Sequence, residues 1–193
     1  SRSGEGLHRY TDPEDGEVYL YTQFEPNDAH RAWPCIDQPD VKPEWTFHVI
    51  APPSWVVFSN GVEVGAAPAG DDAVRHDFSA TPPLSSYITA VVAGPWAVID
   101  GGTWSGGASD GGHVELPLRL ACRRTLARYL DADDVCEVTR AGLDFFHERY
   151  GVTFPWGSYD QIYVPEYNLG AMENPGCITF NESYISRSTP TFT

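Results

Sequence analysis

The chain has 193 residues, of which 41% are hydrophobic and 13% aromatic, enough for a real core in one large domain or two small ones. Twenty-seven acidic side chains against twelve basic ones give a formal charge of −15, which argues against a phosphate-binding surface and so against nucleic acid as a partner. No apolar run reaches the roughly 18 residues of a membrane span, and no basic stretch followed by an apolar one opens the chain, so no membrane partner is expected.

Ser1 to Gly6 carries no initiator Met and no cap, and the chain reads as an excised fragment. Leu7 to Tyr10 predicts a strand entering the turn Asp12-Pro13-Glu14-Asp15-Gly16. Val18 to Glu25, rich in β-branched and aromatic residues, predicts the returning strand. Strand alternation would place Gln23 and Glu25 on one side, roughly 7 Å apart, where both could act on one ligand. Pro26 makes a cis Glu25–Pro26 bond accessible, one that would turn the glutamate toward a pocket. Pro26 to Asp40 is rich in turn formers, and Arg31 is expected to pair with Asp37.

From Trp45 to Leu120 the sequence predicts short strands at Trp45–Ala51, Trp55–Ser59, Val62–Val64, Val74–Phe78, Ser86–Ala93, Trp96–Ile99 and His113–Leu120. Turn signals such as Asn60-Gly61 and Pro82-Pro83 separate them, which points to an antiparallel sandwich or saddle. The glycine-rich run Gly101 to Gly112 reads as a mobile loop. After Cys122 the character changes. A short helical piece, Thr125 to Leu130, precedes a helix capped by Asp134 with Glu137 as capping-box partner and ended by Gly151. Val135, Val138, Gly142, Phe145, Phe146 and Arg149 fall at helical spacing, and the apolar members are expected to form one buried stripe. Tyr159 to Pro165 and Cys177 to Asn181 read as strands on either side of Tyr167-Asn168-Leu169-Gly170-Ala171-Met172-Glu173-Asn174. The four cysteines, Cys35, Cys122, Cys136 and Cys177, form no C-x-x-C pair and are read as reduced thiols of a cytoplasmic protein.

Gly170 to Asn174 resembles the Gly-x-Met-Glu-Asn signature of the zinc aminopeptidases of the aminopeptidase N family, and Gln23-Phe24-Glu25 matches a second site of that pattern. The phrasing of Gly4 to Leu7 is similar to the actinobacterial branch. The resemblance implies a mostly β fold: the later part of an N-terminal β saddle domain over residues 1–122, then over 123–193 the α+β start of a thermolysin-like catalytic domain. It assigns Gln23 to the first side-chain pocket, Glu25 and Glu173 to the substrate ammonium, and Gly170 and Ala171 to backbone hydrogen bonds beside the scissile peptide. Met172 would line the first pocket or the core, and Asn174 would hold the strand end. Pro175 cannot donate to a ladder, which limits substrate pairing along that edge. The residue chemistry agrees, since an ammonium has three donors, which two carboxylates and a neighbouring acceptor satisfy, and the partner that the resemblance implies is a peptide with a free N-terminus.

Catalytic zinc needs three protein ligands, usually with two His at i and i+4 on a helix. His8, His30, His48, His76, His113 and His147 contain no such pair, since Gly151 stands where a partner of His147 would be. No metal is assigned to these residues. The resemblance puts the zinc helix beyond Thr193, so the piece alone is expected to be inactive. Two other readings share this fold: a non-catalytic scaffold, and a lipid-epoxide hydrolase that keeps the zinc. Glu25 and Glu173 argue against the scaffold, which has no reason to bury two like charges. A surface meant for further sequence is expected near Thr193.

Overall fold

The computed structural model describes residues 4–107 and 112–187. The ordering is mostly β followed by α+β, as the sequence implies. β1 (Gly6–Thr11) and β2 (Val18–Gln23) form the first hairpin, in register from Gly6↔Gln23 to Thr11↔Val18. Its turn closes by hydrogen bonds from the Asp12 amide to the Glu17 carbonyl and from the Gly16 amide to the Asp12 carbonyl, with Gly16 at a positive φ of 77° that favours glycine. β3 (His48–Ala51), β4 (Val56–Ser59), β5 (Glu63–Pro68), β6 (Val74–Phe78) and β7 (Val91–Gly94) follow. They build two antiparallel sheets, β1-β2-β7-β4 and β3-β6-β5. Ser86–Ile88 is a 3-10 turn where strand was predicted.

The third sheet runs in the order β11-β12-β10-β9-β8, from β8 (Ala97–Gly107), β9 (His113–Cys122), β10 (Tyr159–Val164), β11 (Ala171–Met172) and β12 (Cys177–Asn181). β10 lies parallel to both β9 and β12, while β8 and β11 pair antiparallel at the two edges. The sheet therefore straddles residue 122, where the sequence reading divides the chain. A core of Tyr19, Tyr21, Phe58, Val92, Ile162 and Val164 joins the first sheet to the third.

Gly101 to Gly107 is strand rather than loop, because β9 supplies the partner that composition cannot reveal: Thr103 pairs with Pro117 and Trp104 with Leu116. The remainder of that expected loop, 108–111, lies outside the described residues, as do Ser1 to Ser3 and the surface anticipated at Thr193. Arg31 does not pair with Asp37. The 3-10 turn Ala29–Arg31 presents residue 30 instead, so Asp37 accepts from the His30 amide at 3.1 Å and its ring at 2.9 Å, while Arg31 reaches Glu5 and Asp28.

Helix α1 (Ala132–Tyr150) follows a 3-10 stretch at Arg124–Tyr129 and starts two residues before the expected Asp134 cap. Asp131 is the cap, its side chain accepting from the Asp134 amide, so Glu137 is not a capping-box partner. The helix ends at Gly151 in the left-handed conformation, as its sequence predicts. Of the expected stripe Val135 packs on the core, but Val138, Phe145 and Phe146 are 65%, 59% and 57% exposed, so the buried face is mostly a different one. The face toward β8 carries Cys136, Arg140, Leu143 and Asp144. Apolar residues occur on both sides of this helix, and the choice is made by Gly101, where an added Cβ would lie 2.7 Å from the Cys136 sulfur and 3.0 Å from the Leu118 carbonyl oxygen. Gly101→Ala is expected to cost about 1–3 kcal/mol by overpacking this seat, read as a lowered midpoint in urea; an unchanged midpoint would show that α1 does not need the close approach.

Candidate functional site

β2 ends at Gln23, so the alternation expected to carry Gln23 and Glu25 to one side stops before Glu25. Gln23 is buried, 3% exposed, and its amide nitrogen donates to the Glu25 carbonyl at 3.3 Å; its Oε1 has no hydrogen-bond partner among the described residues. Phe24 is packed edge-on against Trp33, and Glu25 turns out to solvent, followed by a cis bond to Pro26.

The signature segment packs against β2 through Tyr21. Tyr21 donates its hydroxyl to the Pro165 carbonyl at 2.8 Å, and its ring meets Tyr167 edge-on at 5.5 Å. Glu166, a non-glycine residue at φ 50°, contacts the His8 ring at 3.1 Å. The Tyr167 hydroxyl shares a hydrogen bond with Thr179 at 2.8 Å, and burial raises its pKa well above that of an ordinary tyrosine. The Thr179 bond lowers it, while Cys177, Glu25 and Glu173 each raise it further, so both glutamates lie within electrostatic reach of one phenol. Asn181 donates from Nδ2 to the carbonyls of Tyr167 and Leu169, at 2.9 and 3.2 Å, and its amide donates to the Gly170 carbonyl at 2.8 Å.

Gly170, Ala171 and Glu173 are exposed, and Ala171 and Met172 form the edge strand β11, paired with Phe180 and Thr179. Another backbone can approach closely here because the side chains are absent or small. Met172, which the sequence leaves between pocket and core, is buried in the core with Tyr21 and Tyr167. Asn174 is buried, donates to Thr179 at 3.3 Å and accepts the Cys177 amide through its carbonyl. Pro175 contributes by accepting from Asn60 at 3.0 Å. Glu25 and Glu173 are both exposed, so the notion of two buried like charges does not hold and cannot count against a scaffold.

Sequence reasoning missed Tyr167, Asn181 and Tyr184, whose hydroxyl lies 2.7 Å from the position a Cβ on Gly170 would occupy. An Asn in the strand after a loop is a weak signal of carbonyl capture; the other two offer none. Asn181→Ala is expected to cost about 1–3 kcal/mol by leaving carbonyls unpaired and to speed amide exchange across Gly170–Glu173 selectively; uniform acceleration over the whole chain would contradict a local role.

Among the described residues no three His, Cys, Asp or Glu side chains gather as a metal group requires, and His147 contacts Thr153 rather than a second ligand. No helix of the described residues is long and apolar enough to cross a membrane. All four cysteines are free thiols, and burial raises the Cys177 pKa far above the usual thiol range.

Two family models match: the peptidase M1 N-terminal domain over residues 2–88 and the peptidase family M1 domain over 135–191. Both describe peptidases. The chain is similar to aminopeptidase N of Streptomyces lividans, 44% identical over 191 residues, which is 99% of this chain and 21% of that protein. It is also similar to aminopeptidase N of Haemonchus contortus, 32% identical over 96% of this chain, and to that of Homo sapiens, 29% over 88%, covering 18% and 17% of those proteins. The chain thus spans about a fifth of the length of the curated relatives it matches. It belongs to peptidase family M1.

Proposed function

We propose that this chain is the part of a cytoplasmic zinc aminopeptidase that anchors the substrate's free N-terminus, serving peptide catabolism. The observation that carries this reading is that Glu25, just beyond β2, and Glu173, just beyond β11, are both open to solvent and flank the buried Tyr167, which packs on Tyr21 of β2 and bonds to Thr179, the strand partner of Met172. A peptide ammonium placed between them gains charge-assisted hydrogen bonds and relieves their mutual repulsion. The unpaired Oε1 of Gln23 is the acceptor available for the third N–H, beside a first side-chain pocket lined by Gln23. Gly170 and Ala171 bind the substrate backbone, Met172 supports the pocket floor from the core, and Asn174 fixes the end of the edge strand.

Holding the amine at one place also sets which peptide bond is presented for cleavage, so removal of a single N-terminal residue follows from geometry. The zinc would polarise that bond and activate water. Among the described residues no site fits it, so neither a zinc ligand nor a step of hydrolysis is assigned to them. The free thiols support the cytoplasmic reading.

The anchor is tested by titrating the chain with L-leucinamide and with N-acetyl-L-leucinamide while following backbone amide resonances. The free amine is expected to shift Ala171 and Glu173 and the acetylated form to leave them still; equal responses would refute the anchor. The enzymatic half is tested on the longer protein that contains this chain, by release of the first residue of a peptide and its suppression by a chelator. Absence of that release, with the amine still bound, favours the scaffold reading.

A further inference from the structure

We infer that Tyr167 is a positioning residue, a buried post that sets the separation of the Glu25 and Glu173 carboxylates. The inference rests on the amine-anchoring reading above. Glu25 follows a strand of the first sheet and Glu173 an edge strand of the third, so no shared strand fixes one against the other. Like charges facing a common ligand drift apart whenever the ligand is absent, and an exposed glutamate has the rotamer freedom to do so. Something rigid must join their backbones if the site is to be preorganised.

Tyr167 has the contacts for that task. It is 6% exposed, its ring is set edge-on against Tyr21 of β2, and its hydroxyl is bonded to Thr179 of β12, the residue paired with Met172 beside Glu173. Its own carbonyl is held by Asn181, and the preceding Pro165 carbonyl by the Tyr21 hydroxyl. One side chain thus touches the strand leading to Glu25 and the strand that registers Glu173. Both glutamates also lie within electrostatic reach of its phenol.

Tyr167→Phe keeps the ring and deletes the bond to Thr179. Measured by L-leucinamide titration of the chain, it is expected to weaken binding about threefold to tenfold. Thr179→Val removes the same bond from the other side, together with the Asn174 contact, and is expected to weaken binding at least as much. The control is Asp144→Ala, which strips a hydrogen-bond partner from the buried Trp104 indole near α1 and touches no part of the site. With melting temperatures recorded for each, a positioning role predicts that Asp144→Ala loses stability and binds like the unaltered chain. Wild-type affinity in Tyr167→Phe, or weakening that tracks melting temperature in all variants alike, would overturn this inference alone. Failure of the unaltered chain to bind L-leucinamide would overturn both it and the anchoring reading.

Discussion

Arg123→Met is expected to destabilise the chain by about 3–5 kcal/mol, a large share of the 5–15 kcal/mol typical of a domain. Arg123 follows β9 and is almost wholly buried. It holds Glu182 through two hydrogen bonds at 2.7 and 2.8 Å, bonds to Asp12, donates to Thr125 at 3.1 Å, and lies 5.1 Å from the centre of the Tyr10 ring. Burial alone would lower its pKa, but the Glu182 and Asp12 carboxylates raise it well above that of a free arginine. Methionine leaves both acids without a cation, one of them 1% exposed. For a chain of this length the loss corresponds to a melting point lower by roughly 10 °C. Asp12→Asn added to Arg123→Met is expected to recover part of it, because the stranded charge is then gone; a double variant worse than the single would contradict the account. The same cluster sets an acid limit. Burial pushes the Asp12 carboxyl up, but the Glu14 amide, the Thr125 hydroxyl and Arg123 hold it below the usual range. Its folded pKa is lower than its unfolded value of about 3.9, so its stabilisation is present above that pH and lost as pH falls through the lower, folded value. Acid titration of Asp12→Asn should lack that portion of the loss.

Glu173→Gln is expected to weaken binding of L-leucinamide about 10- to 100-fold, the range for losing one charge-assisted hydrogen bond. The substitution keeps shape and one acceptor oxygen, so the backbone of β11 is undisturbed. Glu25→Gln should act in the same direction, and the two together should leave no measurable preference for the free amine over its acetylated form. Because both carboxylates are exposed, affinity should also fall as salt rises from low to physiological strength. It should fall again as pH passes the ligand's own amine, near 8 for an ordinary α-amino group, since only the ammonium fills the site. Unchanged affinity in Glu173→Gln would remove this residue from the anchor.

Strands with β-branched and aromatic residues are legible in the sequence: β2, β6, β10 and β12 fall within a residue or two of where it predicts them. β8 is not, since Gly101 to Gly107 has little strand propensity of its own and is ordered by its neighbour. The face of α1 was misread because periodicity alone cannot choose between two apolar stripes, and the chooser, Gly101, is 35 residues before Cys136. At the candidate site the sequence names the motif residues but not the end of β2 at Gln23, so alternation read from it runs two residues too far, to Glu25. Tyr167 was invisible as a post because its partner Tyr21 is distant in sequence, and nothing local distinguishes it from any other buried tyrosine.

The bond from the Tyr21 hydroxyl to the Pro165 carbonyl spans 144 residues. Chimeras assembled from two members of the family and joined near Gly94 would draw the two sides of that contact from different parents. Such hybrids should keep each sheet yet loosen the packing of one sheet on the other, and restoring the matching tyrosine from the second parent should recover it.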